Sequence, residues 1–174
     1  VHKKGWLYKG HDTVPWCPRC GTAISQHEIL TEAYQELIHE SVYFKLPIIG
    51  REKEYLLVWT TTPWTIPSNV AVAVNSKEKY WGYDMGSEIV WIMEKRIESL
   101  SSSNILAVQK AKGEHSEFKL GEELLGWEYN GPFDDLPLIK KTLGNYKHKI
   151  IDGGDVVTET EGTGLLHVAP GAGE

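Results

Sequence analysis

A fully apolar run leads directly into a polar turn that two prolines make rigid. Residues 55–59 read YLLVW, which predicts a strand covered on both faces. Thr62 precedes Pro63, so its backbone is pushed into the extended region, and Pro67 prevents a regular helix from crossing the turn. The segment is therefore predicted to be a rigid, irregular turn that presents polar side chains at Thr60, Thr61, Thr62, Thr65, Ser68 and Asn69.

These hydroxyl and amide groups have two explanations. Thr60 and Thr62 are expected on one face of the strand end and Thr61 on the other. A buried hydroxyl or amide without a partner costs free energy. The groups therefore either bond one another in a structural turn or offer donors to a polar ligand. Trp59 precedes the threonines, and Trp64 lies between the two prolines in the irregular segment, so we interpret Trp64 as a pocket wall.

A second dense motif lies near the end of the sequence, where residues 162–173 read GTGLLHVAPGAG. Gly162 and Gly164 permit tight turns or close approach to a ligand. His167 ends an apolar strand and can act as a general base, a steric gate or a donor, or be a satisfied structural histidine. Two such motifs far apart in the sequence predict the two walls of one pocket.

The hydrophobic pattern predicts a mainly β domain. Strands are expected near residues 42–48, 55–59, 70–74, 148–151, 155–157 and 164–168, with a hairpin formed by 80–84 and 88–93. Short helical signals occur at 31–40, 94–101 and 121–126. Many short strands and 17 glycines favour a closed or nearly closed β-barrel with short helical decorations.

Size and charge narrow the functional class. A chain of 174 residues fits one domain, and 41% hydrophobic residues are typical of a soluble globular protein. No run approaches the roughly 20 apolar residues of a membrane span. The start has neither a signal-peptide pattern nor a methionine, so we interpret the chain as a segment of a larger protein. A net charge of −6 argues against a broad nucleic-acid grip, although contact with a few nucleotides remains compatible.

The only two cysteines, Cys17 and Cys20, have the spacing of half a zinc site. His11 or His27 could complete a local site, or ligands could come from outside the chain. Reduced structural thiols and a redox pair remain alternatives. The sequence has no nucleophile elbow, phosphate loop, dinucleotide fingerprint or His-Glu-x-x-His motif. An enzyme of this kind is expected to rely on positioned water and an activated substrate such as an ester.

Three segments together resemble the editing domain of isoleucyl-tRNA synthetases. The threonine-rich motif at 60–65, followed by Pro67 and Asn69, is similar to the first motif of that domain. Gly162-Thr163-Gly164 followed by His167, Ala169 and Pro170 is similar to the second motif, and residues 14–23 resemble the segment that enters the insertion. Valyl and leucyl relatives carry Arg where this chain has Thr62.

The resemblance implies one editing domain over residues 1–174, with an entry segment at 1–30 and a β-barrel core at 42–174, cut from a larger class I synthetase that also binds ATP. It implies hydrolysis of valine wrongly esterified to isoleucine tRNA, and possibly of valyl-adenylate. The implied catalytic residues are Thr60, Thr61, Thr62 and Asn69. The implied substrate-binding residues are Trp59, Trp64, Thr65, Gly162, Thr163, Gly164, His167 and Ala169.

The resemblance also implies partners and alternatives. We expect a cytoplasmic monomer that contacts the tRNA 3′ end and the rest of its synthetase, with no membrane and no cofactor for editing. Zinc would join Cys17 and Cys20 to a cysteine pair elsewhere. The family carries an aspartate nine positions after the gate histidine, at position 176 here, so the chain alone is expected to be impaired. Alternatives are a valyl or leucyl editing domain, a non-catalytic module that binds the tRNA 3′ end, or a structural zinc module.

Overall fold

The computed structural model describes residues 1–11, 14–30, 38, 40–102 and 117–170. The chain divides into two compact units, one formed by Val1–His39 with Gly171–Glu174 and the other by Glu40–Pro170. Each unit is described by itself. The expected single editing domain over 1–174, with its subdivision into 1–30 and 42–174, stays a prediction.

The first unit contains the two cysteines. A 3₁₀ helix at His2–Lys4 precedes a small antiparallel pair, β1 (Trp16–Cys17) and β2 (Thr22–Ala23), and helix α1 spans Gln26–Leu30. The turn between the strands closes at Gly21, whose φ of 68° is unfavourable for other residues. The predicted helical signal at 31–40 lies almost wholly outside the described residues.

The second unit is built on one mixed sheet. Its strands are β3 (Val42–Pro47), β4 (Glu54–Thr60), β5 (Ala71–Val74), β6 (Lys79–Asp84), β7 (Ile89–Met93), β8 (Glu117–Leu120), β9 (Glu128–Tyr129), β10 (His148–Asp152) and β11 (Leu166–Val168). The helices are α2 (Ile97–Ser102), α3 (Gly121–Leu124) and α4 (Pro137–Leu143), with 3₁₀ turns at Pro63–Ser68, Glu94–Arg96 and Gly154–Val156.

The order of the strands is β8-β6-β7-β4-β11-β5-β10-β9, and β3 pairs with β4. The pairs β4–β7, β4–β11 and β5–β10 are parallel, whereas the others are antiparallel. Parallel pairing joins strands from distant parts of the sequence, because it needs long connections. In this strand order β11, which carries part of the second motif, lies directly between β4 and β5, and these two strands flank the first motif.

The sheet curls into a half-barrel and does not close. Ile48, just after β3, forms a single bridge with Tyr129 of β9. Strand β9 is only two residues long, and its contact with Ile48 is not extended into a ladder. Among the described strands, β8 has one neighbour and lies at an edge. The mainly β prediction is confirmed, while the fully closed barrel is not found.

The core lies inside the curled sheet. Leu56, Val58 and Val72 pack there with the large side chains of Tyr80, Trp91 and Tyr129. A second cluster on the opposite face of β4 consists of Leu57, Val90, Ile92 and Leu100. Strand β4 is therefore covered on both faces, as its continuous apolar pattern predicts.

Most local predictions hold, with one clear error. The hairpin of 80–84 and 88–93 is confirmed as β6 and β7, and the helical segment at 94–101 is found as a 3₁₀ turn followed by α2. The strand predicted at 155–157 is wrong, because Gly154–Val156 forms a 3₁₀ turn that starts from Gly154 with φ of 50°. Within the ranges described, no helix is both long and apolar enough to traverse a bilayer.

Candidate functional site

The first motif forms the turn that leaves β4. Thr60 is the last residue of the strand, and the 3₁₀ helix Pro63–Ser68 follows with proline at its start. The Thr60 hydroxyl oxygen accepts the Thr62 backbone N–H at 3.1 Å and lies 3.2 Å from the Thr62 hydroxyl. These two threonines therefore share a face, as the strand geometry predicts. Thr61 is half-buried between them.

The second motif reaches this turn through β11. Leu166 pairs with Trp59 of β4, and His167 pairs with Val72 of β5. His167 consequently lies against the turn, with its Nε2 at 3.2 Å from the Thr65 hydroxyl and its Nδ1 at 2.8 Å from the Asn69 amide nitrogen. Two segments about 100 residues apart in sequence thus form one polar cluster.

Asn69 is at the centre of that cluster. Its side chain is 6% exposed, and its amide nitrogen donates to the Ala71 carbonyl at 3.0 Å. The Tyr129 hydroxyl donates to the Asn69 side-chain oxygen at 2.6 Å. Thr65, which is also buried, donates to the Thr62 carbonyl at 2.8 Å. The polar groups of the turn are therefore paired with one another and with His167.

His167 is half-buried, and burial lowers its pKa below the ordinary value. Desolvation disfavours the charged ring, so the neutral form dominates at neutral pH. The Phe44 ring packs edge-on against the imidazole, with the ring centres 6.2 Å apart. The histidine therefore has a hydrogen-bonded edge toward the turn and an apolar neighbour on β3.

Backbone contacts fix the glycine turn before β11. Gly162 has φ of 64°, and a Cβ there would lie 2.7 Å from the Trp59 ring. The Arg96 guanidinium donates to the carbonyl of Gly162 at 2.9 Å, and also to those of Glu159 and Thr160. The Thr163 carbonyl accepts the Met93 backbone N–H at 3.0 Å. Arg96 is a positioning residue for this turn that the sequence alone did not single out.

Among the described residues of this unit, two cavities border the candidate site or its neighbours. A cavity of about 160 Å³ is lined by Trp59, the glycine turn and residues 156–158. A larger one of about 770 Å³ lies beside β3, β9 and α4, and its wall includes Phe44, Ile66, Tyr129 and His148. The smaller cavity adjoins Gly162, Thr163 and Gly164, whereas the larger one reaches the other side of the Asn69 cluster.

Several predicted site residues lie apart from the cluster. Trp64, predicted as a pocket wall, is 73% exposed, and the two cavities found in the described residues do not include it. Ala169 is half-buried just after β11. Tyr129 and Phe44 contact the cluster although they belong to neither motif. The roles predicted for Trp64 and Ala169 in substrate binding stay predictions.

A second histidine lies close to the first. His148 is 4% exposed, and its Nε2 is 3.2 Å from the Asp134 carboxylate while its Nδ1 is 3.3 Å from the Val70 carbonyl. The rings of Tyr129 and Tyr146 pack on it with centres 5.3 Å away. Both ring nitrogens therefore face acceptors, which suits a structural link from β10 to β9, to the residue before β5 and to the turn before α4.

In the first unit, the β1–β2 turn brings the cysteines together. The Cys20 backbone N–H donates to the Cys17 sulfur at 3.3 Å, and this bond lowers the pKa of the Cys17 thiol. Neither cysteine is in a disulfide. Within the described part of the chain, no group of three or more potential ligands is arranged for a metal ion. The pair fits two ligands of a site that needs others.

Relatives match the chain over its whole length. It is 39% identical over 174 residues to the isoleucine–tRNA ligase of Sulfolobus acidocaldarius, covering 16% of that protein. It is 40% identical over 174 residues to the enzyme of Saccharolobus islandicus, and 40% over 179 residues to that of Clostridium acetobutylicum, covering 16% and 15% of those proteins. The chain thus spans about one sixth of the length of these relatives. No family model matches it.

Solved structures share the fold. The crystal structure of GlLeuRS-CP1 aligns with a TM-score of 0.56 at 16% identity, covering 75% of this chain and 53% of that one. The P. knowlesi cytosolic leucyl-tRNA synthetase editing domain aligns with a TM-score of 0.52 at 13% identity, covering 73% and 56%. The curled sheet and its decorations therefore define the editing-domain fold of aminoacyl-tRNA synthetases.

Fold and sequence together identify the particular family. The chain belongs to the isoleucyl-tRNA synthetase family, as a segment with the editing-domain fold. The match to isoleucine–tRNA ligases agrees with the threonine at position 62, where the valyl and leucyl relatives are expected to carry arginine.

Proposed function

We propose that this segment hydrolyses valine wrongly esterified to isoleucine tRNA. The observation that supports the proposal is the cluster of Thr62, Thr65, Asn69 and His167, which joins the two motifs at hydrogen-bond distance beside exposed surface. Membership in the isoleucyl-tRNA synthetase family supports the choice of tRNA.

The reaction needs little covalent chemistry from the protein. The oxygen of a water molecule bonds to the ester carbonyl carbon, the bond to the ribose oxygen breaks, and that oxygen takes a proton. The ester is already activated, so positioning of water and stabilisation of the developing oxyanion suffice. The exposed Thr62 hydroxyl is available for this work, supported by Thr60, and Thr61 lies between them.

His167 is proposed to set the size limit. It lies with Phe44 on one side and Thr65 on the other, so it can exclude the additional methylene of isoleucine. A single methylene in an apolar pocket gives only about 1–3 kcal/mol of discrimination, a value for which isoleucyl-tRNA synthetase is itself the reference case. A second, hydrolytic site that admits valine and rejects isoleucine supplies the remaining accuracy.

The test is deacylation of valyl and isoleucyl esters, both on isoleucine tRNA. It is measured with this chain and with the chain joined to the remaining sequence of its synthetase. We expect the joined protein to release valine selectively, and His167→Ala to release isoleucine as well. Valine release by the chain alone would show that this segment carries the groups that hydrolysis needs.

The alternative is a module that docks the tRNA 3′ end without hydrolysis. Selective binding of a non-hydrolysable valyl-adenosine analogue by a folded, joined protein that releases no valine would favour this alternative. If the His167→Ala protein still releases valine and still rejects isoleucine, the proposed hydrolase activity stands, but His167 does not set the size limit.

Two further expectations remain proposals. We propose that hydrolysis needs no cofactor, and that Cys17 and Cys20 hold zinc together with two ligands from another part of the synthetase. The accessible thiols and the N–H···S bond of the β1–β2 turn support the second point. Metal analysis of the joined protein, with and without Cys17→Ser, tests it. Isoleucine tRNA and the rest of the synthetase are the proposed partners, in the cytoplasm.

A further inference from the structure

Tyr129 connects the candidate site to the core from outside both motifs. It lies on β9 and is 1% exposed. Its hydroxyl donates to the Asn69 side-chain oxygen at 2.6 Å, and its ring packs on His148. Through Asn69 this buried phenol is connected to His167, the histidine proposed to bind substrate.

The orientation of the Asn69 amide follows from its neighbours. The Ala71 carbonyl can only accept a hydrogen bond, so the amide atom 3.0 Å from it is the nitrogen. The amide oxygen then faces the Tyr129 hydroxyl. The second hydrogen of the amide nitrogen points to His167 Nδ1 at 2.8 Å.

This orientation determines which nitrogen of His167 carries the proton. Since Nδ1 faces a donor, it must accept, and the proton of the neutral ring is on Nε2. Nε2 faces the Thr65 hydroxyl at 3.2 Å, and that hydroxyl gives its own proton to the Thr62 carbonyl. The hydrogen bonds therefore run in one direction from Tyr129 to the threonine turn.

We propose that Tyr129 is a positioning residue that holds Asn69 in one orientation and thereby fixes His167 as the neutral Nε2–H tautomer. In this state His167 serves as a wall and a hydrogen-bond donor in the site, and it does not act as the general base. The consequence for editing rests on the proposed function. The control of the His167 tautomer by Tyr129 is independent of the proposed function, because it involves only side chains of this chain.

The pKa shifts of Tyr129 and His167 agree with this direction of the hydrogen bonds. Burial raises the pKa of Tyr129, so the phenol keeps its proton and remains a donor. Burial lowers the pKa of His167, so the ring remains neutral. Removing the phenolic hydroxyl would leave the Asn69 oxygen buried without this donor, and the amide would lose the contact that resists rotation.

The test compares Tyr129→Phe with Tyr146→Phe in the 174-residue chain. Tyr146 is the matched control, because its ring also packs on His148 but its hydroxyl bonds the Val70 carbonyl at 2.7 Å and does not reach Asn69. The readout is the ¹⁵N spectrum of the histidine rings, which distinguishes Nδ1–H from Nε2–H. Circular dichroism establishes that each variant is folded.

We expect a pure Nε2–H tautomer for His167 in the unchanged chain and in Tyr146→Phe, and a mixture in Tyr129→Phe. A pure Nε2–H tautomer in folded Tyr129→Phe would overturn the proposal. So would an Nδ1–H tautomer in the unchanged chain, which decides the question even if Tyr129→Phe does not fold.

Deacylation by the joined synthetase is the second readout. We expect kcat/KM for valyl ester to fall on the order of tenfold in Tyr129→Phe and to stay unchanged in Tyr146→Phe. If the unchanged synthetase releases no valine while the tautomer still depends on Tyr129, the proposed function fails and the positioning role stands. If valine is released but the tautomer ignores Tyr129, the positioning role fails and the proposed function stands.

Discussion

His167 and His148 are connected through Asn69 and Tyr129, and they have different surroundings. His167 is half-buried and meets the donor of Asn69 at one nitrogen. His148 is buried and meets an acceptor at each nitrogen, the Asp134 carboxylate and the Val70 carbonyl. Burial lowers the pKa of His167, so its ring remains neutral. The neighbours therefore decide whether a histidine holds the fold together or remains available to a ligand.

The largest expected effect separates the two rings by stability. His148→Ala should lower the free energy of unfolding by about 2–4 kcal/mol, because it empties a buried ring site packed by Tyr129 and Tyr146 and removes the contacts with Asp134 and Val70. His167→Ala should cost only about 1 kcal/mol, since its site is open to water on one side. Urea unfolding of both variants measures the difference. Equal costs would mean that the two surroundings do not differ in the way described.

Exchanging the partner atom should convert one environment into the other. Asn69→Asp puts a carboxylate oxygen opposite His167 Nδ1, in place of the amide donor. A nearby carboxylate favours the charged ring, so we expect the pKa of His167 to rise by about one unit or more. Titration followed by NMR measures it. With Asn69→Ser as the uncharged control, a similar rise in both variants would show that the carboxylate is not the cause.

Stability should depend on pH through His167. Its pKa is lower in the folded protein than the ordinary value of 6.5, so between these two values the unfolded chain binds more protons. The contribution is fully present above about pH 6.5 and is lost as the pH falls toward the folded pKa, by about 1.4 kcal/mol for each unit between the two. In His167→Gln this part of the pH dependence should disappear. If the glutamine variant keeps the full pH dependence, other groups are responsible for it.

The smallest expected effect concerns the rim of the His148 region. Tyr146→Phe removes one exposed hydroxyl from the Val70 carbonyl, which keeps its 3.3 Å contact with His148 Nδ1. We expect a loss of about 0.5–1 kcal/mol in thermal or urea unfolding. If Tyr146→Phe lowered the free energy of unfolding as much as His148→Ala does, Tyr146 and not the buried ring of His148 would be the main structural contact here.

The surroundings of His167 can be predicted from the sequence better than those of His148. The threonines, Asn69 and His167 lie in motifs whose composition is conspicuous, and the apolar runs of β4 and β5 locate the strands that carry them. His148 and Asp134 are separated by only 14 positions, but nothing in the local pattern shows that the chain folds back between them, through α4, to bring them together. Tyr129 was missed for the same reason, because it lies in a two-residue strand 60 positions from Asn69. Long-range pairing, as in β5–β10, leaves no periodic signal.

Arg96 has a consequence for how this family can vary. Its guanidinium bonds the backbone carbonyls of Glu159, Thr160 and Gly162, and none of those three bonds depends on a side chain of the loop. The turn that leads to His167 is therefore held by Arg96, from the 3₁₀ turn after β7, together with the positive φ angles of its own Gly162 and Gly164. The side chains at positions 159 and 160 have other contacts, since Glu159 pairs with Lys95 and the Thr160 hydroxyl lies 3.1 Å from that of Thr158. Substitution at 159 or 160 is therefore expected to remove these contacts while the bonds from Arg96 to the backbone stay in place.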